Sequence, residues 1–399
     1  MSAPAENPHP IPLTESEVLI RGFLAANPAL DSELGDIEIM TDRYTNEEWA
    51  AQIAETQKAV LKEVDSGERA KKVYEGPRMR NGNEALKELA KTVDHTILKL
   101  DATSAQIDSL CSEARTEDFK VGKIAFKMHA FDQSNLPQSV CVRLNWVQRC
   151  VANLKGSTVV VAAVVGFHEG TQDTYSKLRE ARACVAAGAS ELDLVLNHSL
   201  LTKHNRPESP RVIRSHDSAI DSITAANTAA NSGSTTGSDD EEIPDYSAIY
   251  RELASIRSLC PAPVVIKLIL ETSQLTPKQI LAASHLAGAA NLDFIKTSTG
   301  FNGPGASLEN VQLMVGAAEY LHKTGVSKRQ MQVKASGGVR SLETAVQMLE
   351  AGATRLGTSS GLWIMQQARE KIEQAKSGKS EDRPGATRLY TDDSVAGGY

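Results

Sequence analysis

Four charged residues sit in segments whose other residues are those of buried strands. Lys296 lies in DFIKTS, which has strand-like composition and runs into the turn signal Thr297-Ser298-Thr299-Gly300. Lys334 lies in QVKASGGVR, Lys267 in VVIKLILE and Asp193 in ELDLV. A buried ammonium is costly unless paired, and it tends to lose its proton instead. A free lysine with a pKa near 10.4 is only roughly 0.04% neutral at pH 7. A nucleophilic amine needs that value lowered by about three units, about 4 kcal/mol of bias against the charged form. Burial supplies part of the bias, and a second cation on a neighbouring strand supplies more. An aspartate across the site can then move protons. These residue types suit Schiff-base chemistry on a carbonyl substrate, with no metal needed. One such lysine alone reads as an inward ion pair or as a side chain snorkelling past helices. Three lysines and an aspartate on four apolar strands read as one site.

Two glycine- and serine-rich turns add a second function. Ser336-Gly337-Gly338 follows the Lys334 strand, and Gly357-Thr358-Ser359-Ser360-Gly361 closes the next one. Glycines let the backbone approach an anion, and backbone N–H groups at a helix start bind phosphate. Either stretch alone is an ordinary turn. Together, after adjacent strands, they predict a phosphate site.

The elements that must carry these residues alternate in type. Strands are expected at 93–98, 139–142, 159–167, 192–197, 264–271, 293–298, 330–335 and 354–358, with helical runs between most of them. VVVAAVVGF is apolar at both alternations, as in a parallel sheet covered on both faces. CVAAGASELDLVLN, HLAGAANLDFIKTS and MLEAGATRLGTSS share a helix end, an Ala-Gly-Ala turn and a strand. Gly188, Gly288 and Gly352 suit the left-handed position after a helix. The expected fold class is α/β, a (β/α)8 TIM barrel with a helical N-terminal extension. No Gly-x-Gly-x-x-Gly follows an early strand, which weakens a nucleotide-binding sheet. The extension covers 1–90, with Thr14 and Glu17 at capping-box spacing and an amphipathic helix over 46–64. The barrel domain covers 91–375. It is interrupted at 203–245 by a low-complexity insertion containing SGSTTGSDDEE, and a flexible tail covers 376–399.

Bulk properties exclude other classes. The 399 residues are 41% hydrophobic with a net charge of −7, which argues against general affinity for nucleic acid or anionic membranes. Five scattered cysteines (Cys111, Cys141, Cys150, Cys184, Cys260) and nine histidines form no metal-ligand or redox spacing. No apolar run is long enough for a membrane span. The N-terminal stretch has neither signal-peptide nor transit-peptide character, so a cytoplasmic location is expected.

The segments VDHTIL (93–98), ELDLV (191–195), DFIKTSTG (293–300), VKASGGVR (333–340) and GTSS (357–360) resemble the signature segments of deoxyribose-phosphate aldolase. They appear in family order across about residues 90–375. The resemblance implies a class I aldolase acting on 2-deoxy-D-ribose 5-phosphate to give acetaldehyde and D-glyceraldehyde 3-phosphate. In the mechanism drawn from it, the C3 hydroxyl loses its proton as the C3–C4 bond breaks. It makes Lys296 the Schiff-base lysine, Lys334 the lysine that perturbs it and Asp193 the proton-relay carboxylate. Asp94, Lys267, Thr297 and Cys141 become substrate-side positions, although a small buried residue is the plainer account of Cys141. Gly300, Gly337, Gly338, Ser359 and Ser360 become the phosphate turns. No cofactor is implied; the partners are a sugar phosphate and aldehydes, and a homodimer is compatible with such barrels. Two departures bear on substrate preference: Phe301 stands where many members carry lysine, and Arg143-Leu144-Asn145 follows Cys141-Val142 where Tyr-Pro-Arg is common. The insertion as a lid and Tyr399 as a residue reaching the site are minor expectations. The alternatives are another Schiff-base sugar-phosphate aldolase, such as a transaldolase-like enzyme, and a non-catalytic relative acting through its N-terminal arm.

Overall fold

The computed structural model describes residues 13–34, 37–41, 44–75, 82–117, 139–202 and 243–377. The expectations for Tyr399 and for most of the 203–245 insertion lie outside these residues. Eight parallel strands close into a barrel in chain order. They are β1 (Val93–Thr96), β2 (Ser139–Val142), β3 (Val160–Val165), β4 (Glu191–Val195), β5 (Val265–Ile269), β6 (Phe294–Lys296), β7 (Gln332–Ser336) and β8 (Arg355–Thr358). Each expected strand is present, most of them shorter than the apolar run that signals it.

Among the described residues, five helices precede the barrel: α1 (Glu15–Ala26), α2 (Pro28–Leu34), α3 (Asn46–Asp65), α4 (Glu68–Lys71) and α5 (Asn83–Lys91). Nine more accompany the strands: α6 (Ser104–Glu117), α7 (Leu144–Leu154), α8 (Thr174–Ala186), α9 (Ser199–Thr202), α10 (Tyr246–Leu259), α11 (Pro277–Ala289), α12 (Leu308–Lys323), α13 (Leu342–Glu350) and α14 (Gly361–Ser377). No helix among the described residues is long and apolar enough to cross a membrane.

The repeat is real, but one of its copies is displaced. Gly188 and Gly352 have φ of +101° and +102° and stand three residues before β4 and β8. The equivalent place before β6 is held by Asn291, with φ of +52°, and not by Gly288. Gly288 lies inside α11, where a Cβ would come within 3.3 Å of Met331 Cε. Asparagine tolerates the left-handed region, so the turn needs no glycine there, while helix packing does.

Alternation on the strands sorts two apolar clusters. Val161, Ala163 and Val165 of β3 join the large core between sheet and helices, whereas Ala162 and Val164 join Leu98 and Cys141 in a smaller inner cluster. One side of the barrel interior is therefore apolar, at β2 and β3.

Both capping boxes, Thr14 with Glu17 and Thr45 with Glu48, start helices that dock on the barrel. Helix α3 lies against α10, α11 and α12. As a result every residue of α11 from Ile280 to Gly288 is buried, covered by the sheet on one side and by the arm on the other. Trp49 is 1% exposed and packs against Tyr250, with ring centroids 4.9 Å apart, and against His285 at 6.0 Å. Thr56 Oγ1 bonds His285 Nδ1 at 2.9 Å. Burial pushes the His285 imidazole down to about 4, so it stays neutral there. Trp49→Ala should therefore destabilise the whole chain by about 3–5 kcal/mol in denaturant unfolding, as a large core truncation does. A loss below about 1 kcal/mol would mean that the arm is only loosely applied.

Candidate active site

Inward-facing positions of β1, β4, β5, β6, β7 and β8 carry the charged residues. Parallel register sets Asp193 opposite Lys267, Lys296 opposite Lys334, and Lys334 opposite Arg355. Closure of the sheet then brings β1 and β4 carboxylates to the β6 and β7 lysines. Lys296 Nζ and Lys334 Nζ each donate to Asp193 Oδ2 at 2.8 Å. Lys334 Nζ also donates to Asp94 Oδ2 at 2.5 Å. Lys267 Nζ donates to Asp193 Oδ1 at 2.9 Å and to Glu191 Oε2 at 2.5 Å. Arg355 completes the ring, with Nη1 on Asp94 Oδ1 at 2.7 Å and Nη2 at 3.7 Å from Glu191 Oε1. All seven side chains are at most 2% exposed.

Charges decide which amine is free to react. Asp94, Glu191 and Asp193 bring three formal negative charges, and Lys267, Lys334 and Arg355 bring three positive ones. A protonated Lys296 would be a fourth buried cation. Burial disfavours its charge most, Asp193 works against that, and the Lys334 ammonium reinforces it; its amine is held below the ordinary lysine value. Lys334 feels the same burial, but Asp193 and Asp94 together outweigh it and hold it above. Lys267 likewise stays charged, since Asp193, Glu191 and Asp94 outweigh burial. Burial alone would raise both aspartates. For Asp94 the cations of Arg355, Lys334 and Lys267 reverse this, and for Asp193 those of Lys267, Lys296 and Lys334 do, so both fall well below the carboxylate range. Two lysines 2.8 Å from one carboxylate oxygen thus have opposite tendencies. The arrangement provides a nucleophilic amine beside an ammonium–carboxylate pair that can shuttle a proton.

The structure brings Lys296, Lys334, Asp193, Asp94 and Lys267 together. Cys141 is adjacent, with Sγ 3.8 Å from Asp193 Oδ2, and burial followed by Asp193 pushes its thiol up to about 11. It is a small neutral neighbour and no nucleophile. Thr297 does something else: its hydroxyl donates to the Ser336 carbonyl at 2.9 Å and accepts from Ser336 N at 3.0 Å, tying β6 to β7. Glu191 and Arg355 are missing from the sequence-based set. Their signal was available, since Glu191 stands two residues before Asp193 on the same strand face, and Arg355 interrupts the apolar start of β8.

The expected phosphate turns lie beyond the ends of β6, β7 and β8. Gly300, Gly337 and Gly338 have φ of +87°, +88° and +76°. The β6 and β7 loops meet backbone to backbone: Ala306 N donates to the carbonyls of Ser336 and Gly337 at 3.1 and 3.0 Å. A Cβ on Gly337 would sit 2.7 Å from Gly305 Cα. Ser298 Oγ, buried beside Gly337, has no hydrogen-bond partner among the described residues. Ser359 is exposed, and Ser360 leads into α14, where its carbonyl accepts from Ile364 N. Ser360 N donates to Thr358 Oγ1 at 2.9 Å; a helix start beside a glycine turn is a place where phosphate commonly binds.

A curated relative from Coccidioides immitis named deoxyribose-phosphate aldolase is 35% identical over 304 residues, 76% of this chain and 90% of its own length. The chain belongs to the deoxyribose-phosphate aldolase family. It is thereby a class I aldolase, a carbon–carbon lyase. A relative of the same name from Brevibacillus brevis is 36% identical over 275 residues, 69% of this chain and 94% of its own. A family model described as DeoC/LacD family aldolase matches residues 245–367. A crystal structure of a Coccidioides immitis protein assigned to deoxyribose-phosphate aldolase superposes with a TM-score of 0.59 at 33% identity, covering 82% of this chain and all of that one.

The opposed tendencies of the two lysines predict a pH response. Reductive labelling of Lys296 by acetaldehyde should be half-maximal well below pH 10.4, the free-lysine value. Lys334→Met removes a like charge, raises the Lys296 pKa and should move the midpoint to higher pH. An unmoved midpoint would leave burial as the sole cause. Arg355→Leu leaves Asp94 and Glu191 short of a cation and should cost about 3–5 kcal/mol of unfolding stability, read by denaturant titration.

Proposed function

We propose that the chain reversibly cleaves 2-deoxy-D-ribose 5-phosphate to acetaldehyde and D-glyceraldehyde 3-phosphate through a Schiff base on Lys296. The observation that carries this reading is the shared Asp193 oxygen between Lys296 and Lys334. The neutral Lys296 amine adds to the C1 aldehyde of the open-chain sugar, and loss of water gives a protonated imine. Asp193 and Lys334, through water, take the proton from the C3 hydroxyl. The C2–C3 electron pair flows to the iminium nitrogen, leaving a two-carbon enamine on Lys296 and releasing the three-carbon aldehyde. Acetaldehyde has two carbons, so the break lies at C2–C3; the expected C3–C4 cleavage is corrected by carbon count alone. Protonation of the enamine and hydrolysis free acetaldehyde and restore the amine.

Asp94 and Lys267 act as supports in this scheme, holding Lys334 and Asp193 in their charge states. Gly300, Gly337, Gly338, Ser359 and Ser360, with Ser298, would receive the phosphate. The arm at 1–90 serves as a scaffold for the barrel domain at 91–375. A cytoplasmic enzyme of deoxyribonucleotide breakdown and carbohydrate degradation, assembled as a homodimer, completes the proposal.

Lys296→Arg puts a permanent cation where the reactive amine stands and cannot form the imine. It should lower turnover by at least about 10³-fold and abolish the borohydride-trapped acetaldehyde adduct, while far-UV circular dichroism is unchanged. Turnover retained in Lys296→Arg would sink the assignment.

A further inference from the structure

Beside the charged cluster, the mouth of the barrel carries a group of rings that the reaction above does not use. The ring of His168 stacks on Phe301, with centroids 5.1 Å apart and planes 13° from parallel, and Phe167 meets Phe301 edge-on at 5.1 Å. The Arg143 guanidinium lies over the Phe167 ring, 4.9 Å from its centroid, and its Nε donates to the Leu98 carbonyl at 2.7 Å. Asn302 Nδ2 donates to the His168 carbonyl at 3.4 Å. The segment after β6 therefore reaches across the mouth to the segment after β3.

Three features tie these rings to the Lys296 site. Phe167 and Phe301 pack on the inner apolar cluster of Leu98, Cys141, Ala162 and Val164. Cys141 in turn is 3.8 Å from the Asp193 oxygen that binds Lys296. Phe167, His168 and Phe301 are each only half-buried, so surface remains for a ligand. Their position is also fixed from below. Glu271, buried at the end of β5 with φ of +58°, accepts hydrogen bonds from the Thr299 hydroxyl and, at 3.3 Å, from Thr299 N. Thr299 Oγ1 then accepts from Phe301 N at 3.1 Å. A non-glycine residue held in the left-handed region marks a loop set by its surroundings. The cation of this group, Arg143, is engaged with Phe167 and the Leu98 backbone, and the β6 segment presents a ring at 301.

We propose that Phe301, with Phe167 and His168, forms the specificity wall for the acceptor aldehyde. These rings thereby set the preference between an acceptor with an apolar or aromatic substituent and the phosphorylated one. This rests on the aldolase reading. In the synthetic direction the enamine carbon of Lys296-bound acetaldehyde attacks the acceptor carbonyl carbon. The carbonyl electron pair moves to oxygen, which takes a proton from the Asp193–Lys334 pair through water. Water then hydrolyses the iminium and releases a β-hydroxyaldehyde. An aromatic substituent lies against Phe301, where rings meet edge-on or stacked.

The test uses the full chain with acetaldehyde as donor and either 3-phenylpropanal or D-glyceraldehyde 3-phosphate as acceptor. The quantity read is the ratio of kcat/KM for the two acceptors. The unsubstituted protein should turn over both. Phe301→Ala should lower the ratio in favour of the phosphorylated acceptor by about tenfold, the scale of one lost apolar contact in a pocket, mainly through KM for 3-phenylpropanal. Phe301→Lys should move it the same way, and Phe301→Tyr should restore it. A ratio that moves less than about twofold in both Phe301→Ala and Phe301→Lys overturns the proposal. So does a protein that condenses glyceraldehyde 3-phosphate but leaves 3-phenylpropanal untouched. Borohydride labelling of the unsubstituted protein by acetaldehyde separates the two levels. An intact Lys296 label with an unmoved ratio removes the wall alone, whereas no label removes the aldolase reading and the wall with it.

Discussion

A buried charge balance underlies the rest of the molecule. Three carboxylates from β1 and β4 meet three cations from β5, β7 and β8 where water is excluded, and Lys296 is the cation left over. Each paired ion satisfies the desolvation cost of its neighbours, so removing any one leaves an uncompensated charge. The same balance makes the surplus amine the easiest one to deprotonate. Structure and reactivity thus have a common origin. The ring of ions fixes where the strands must sit, and the strands fix which lysine is the easiest to deprotonate.

That cluster occupies one side of the barrel interior, and the other side is apolar. Leu98, Cys141, Ala162 and Val164 line the side of β2 and β3 and carry Phe167 and Phe301 above them. An aldehyde entering such a space meets water-shuttling groups on one flank and rings on the other. The glycine turns after β6 and β7 approach each other backbone to backbone, which only residues without a Cβ allow at Gly305 and Gly337. Charge and rings therefore lie in separate sectors of one mouth, with the glycine turns next to them.

The helical arm completes the scaffold from outside. Because α3 covers α10–α12, helix α11 is buried all round from Ile280 to Gly288, and its small residues let it lie close between sheet and arm. Arg69 links arm to barrel by bonds to Glu63 at 2.7 Å and Glu319 at 2.9 Å. Helix α12, which α3 covers, also packs on β7, the strand of Lys334.

Much of this was legible in the chain itself. Strand segments apolar on both faces, interrupted by Lys296, Lys334, Lys267 and Asp193, specify a covered parallel sheet with inward charges, because both signals are local. The capping boxes at Thr14 and Thr45 and the glycine turns are local too. The rest depended on who faces whom. Glu191 and Arg355 joined the site through register and closure, and Thr297 was claimed by the Ser336 backbone. Asn291 took the turn that Gly288 resembled on paper, because helix packing needed the glycine elsewhere. The ring contact unites residues from the segments after β3 and β6 that are more than a hundred positions apart. The sequence by itself determined a barrel and its reactive residue types, since period and burial are written residue by residue. Only the tertiary structure decided which lysine is held below its ordinary value and what stands beside it, since electrostatics and contact depend on distances that closure of the sheet creates.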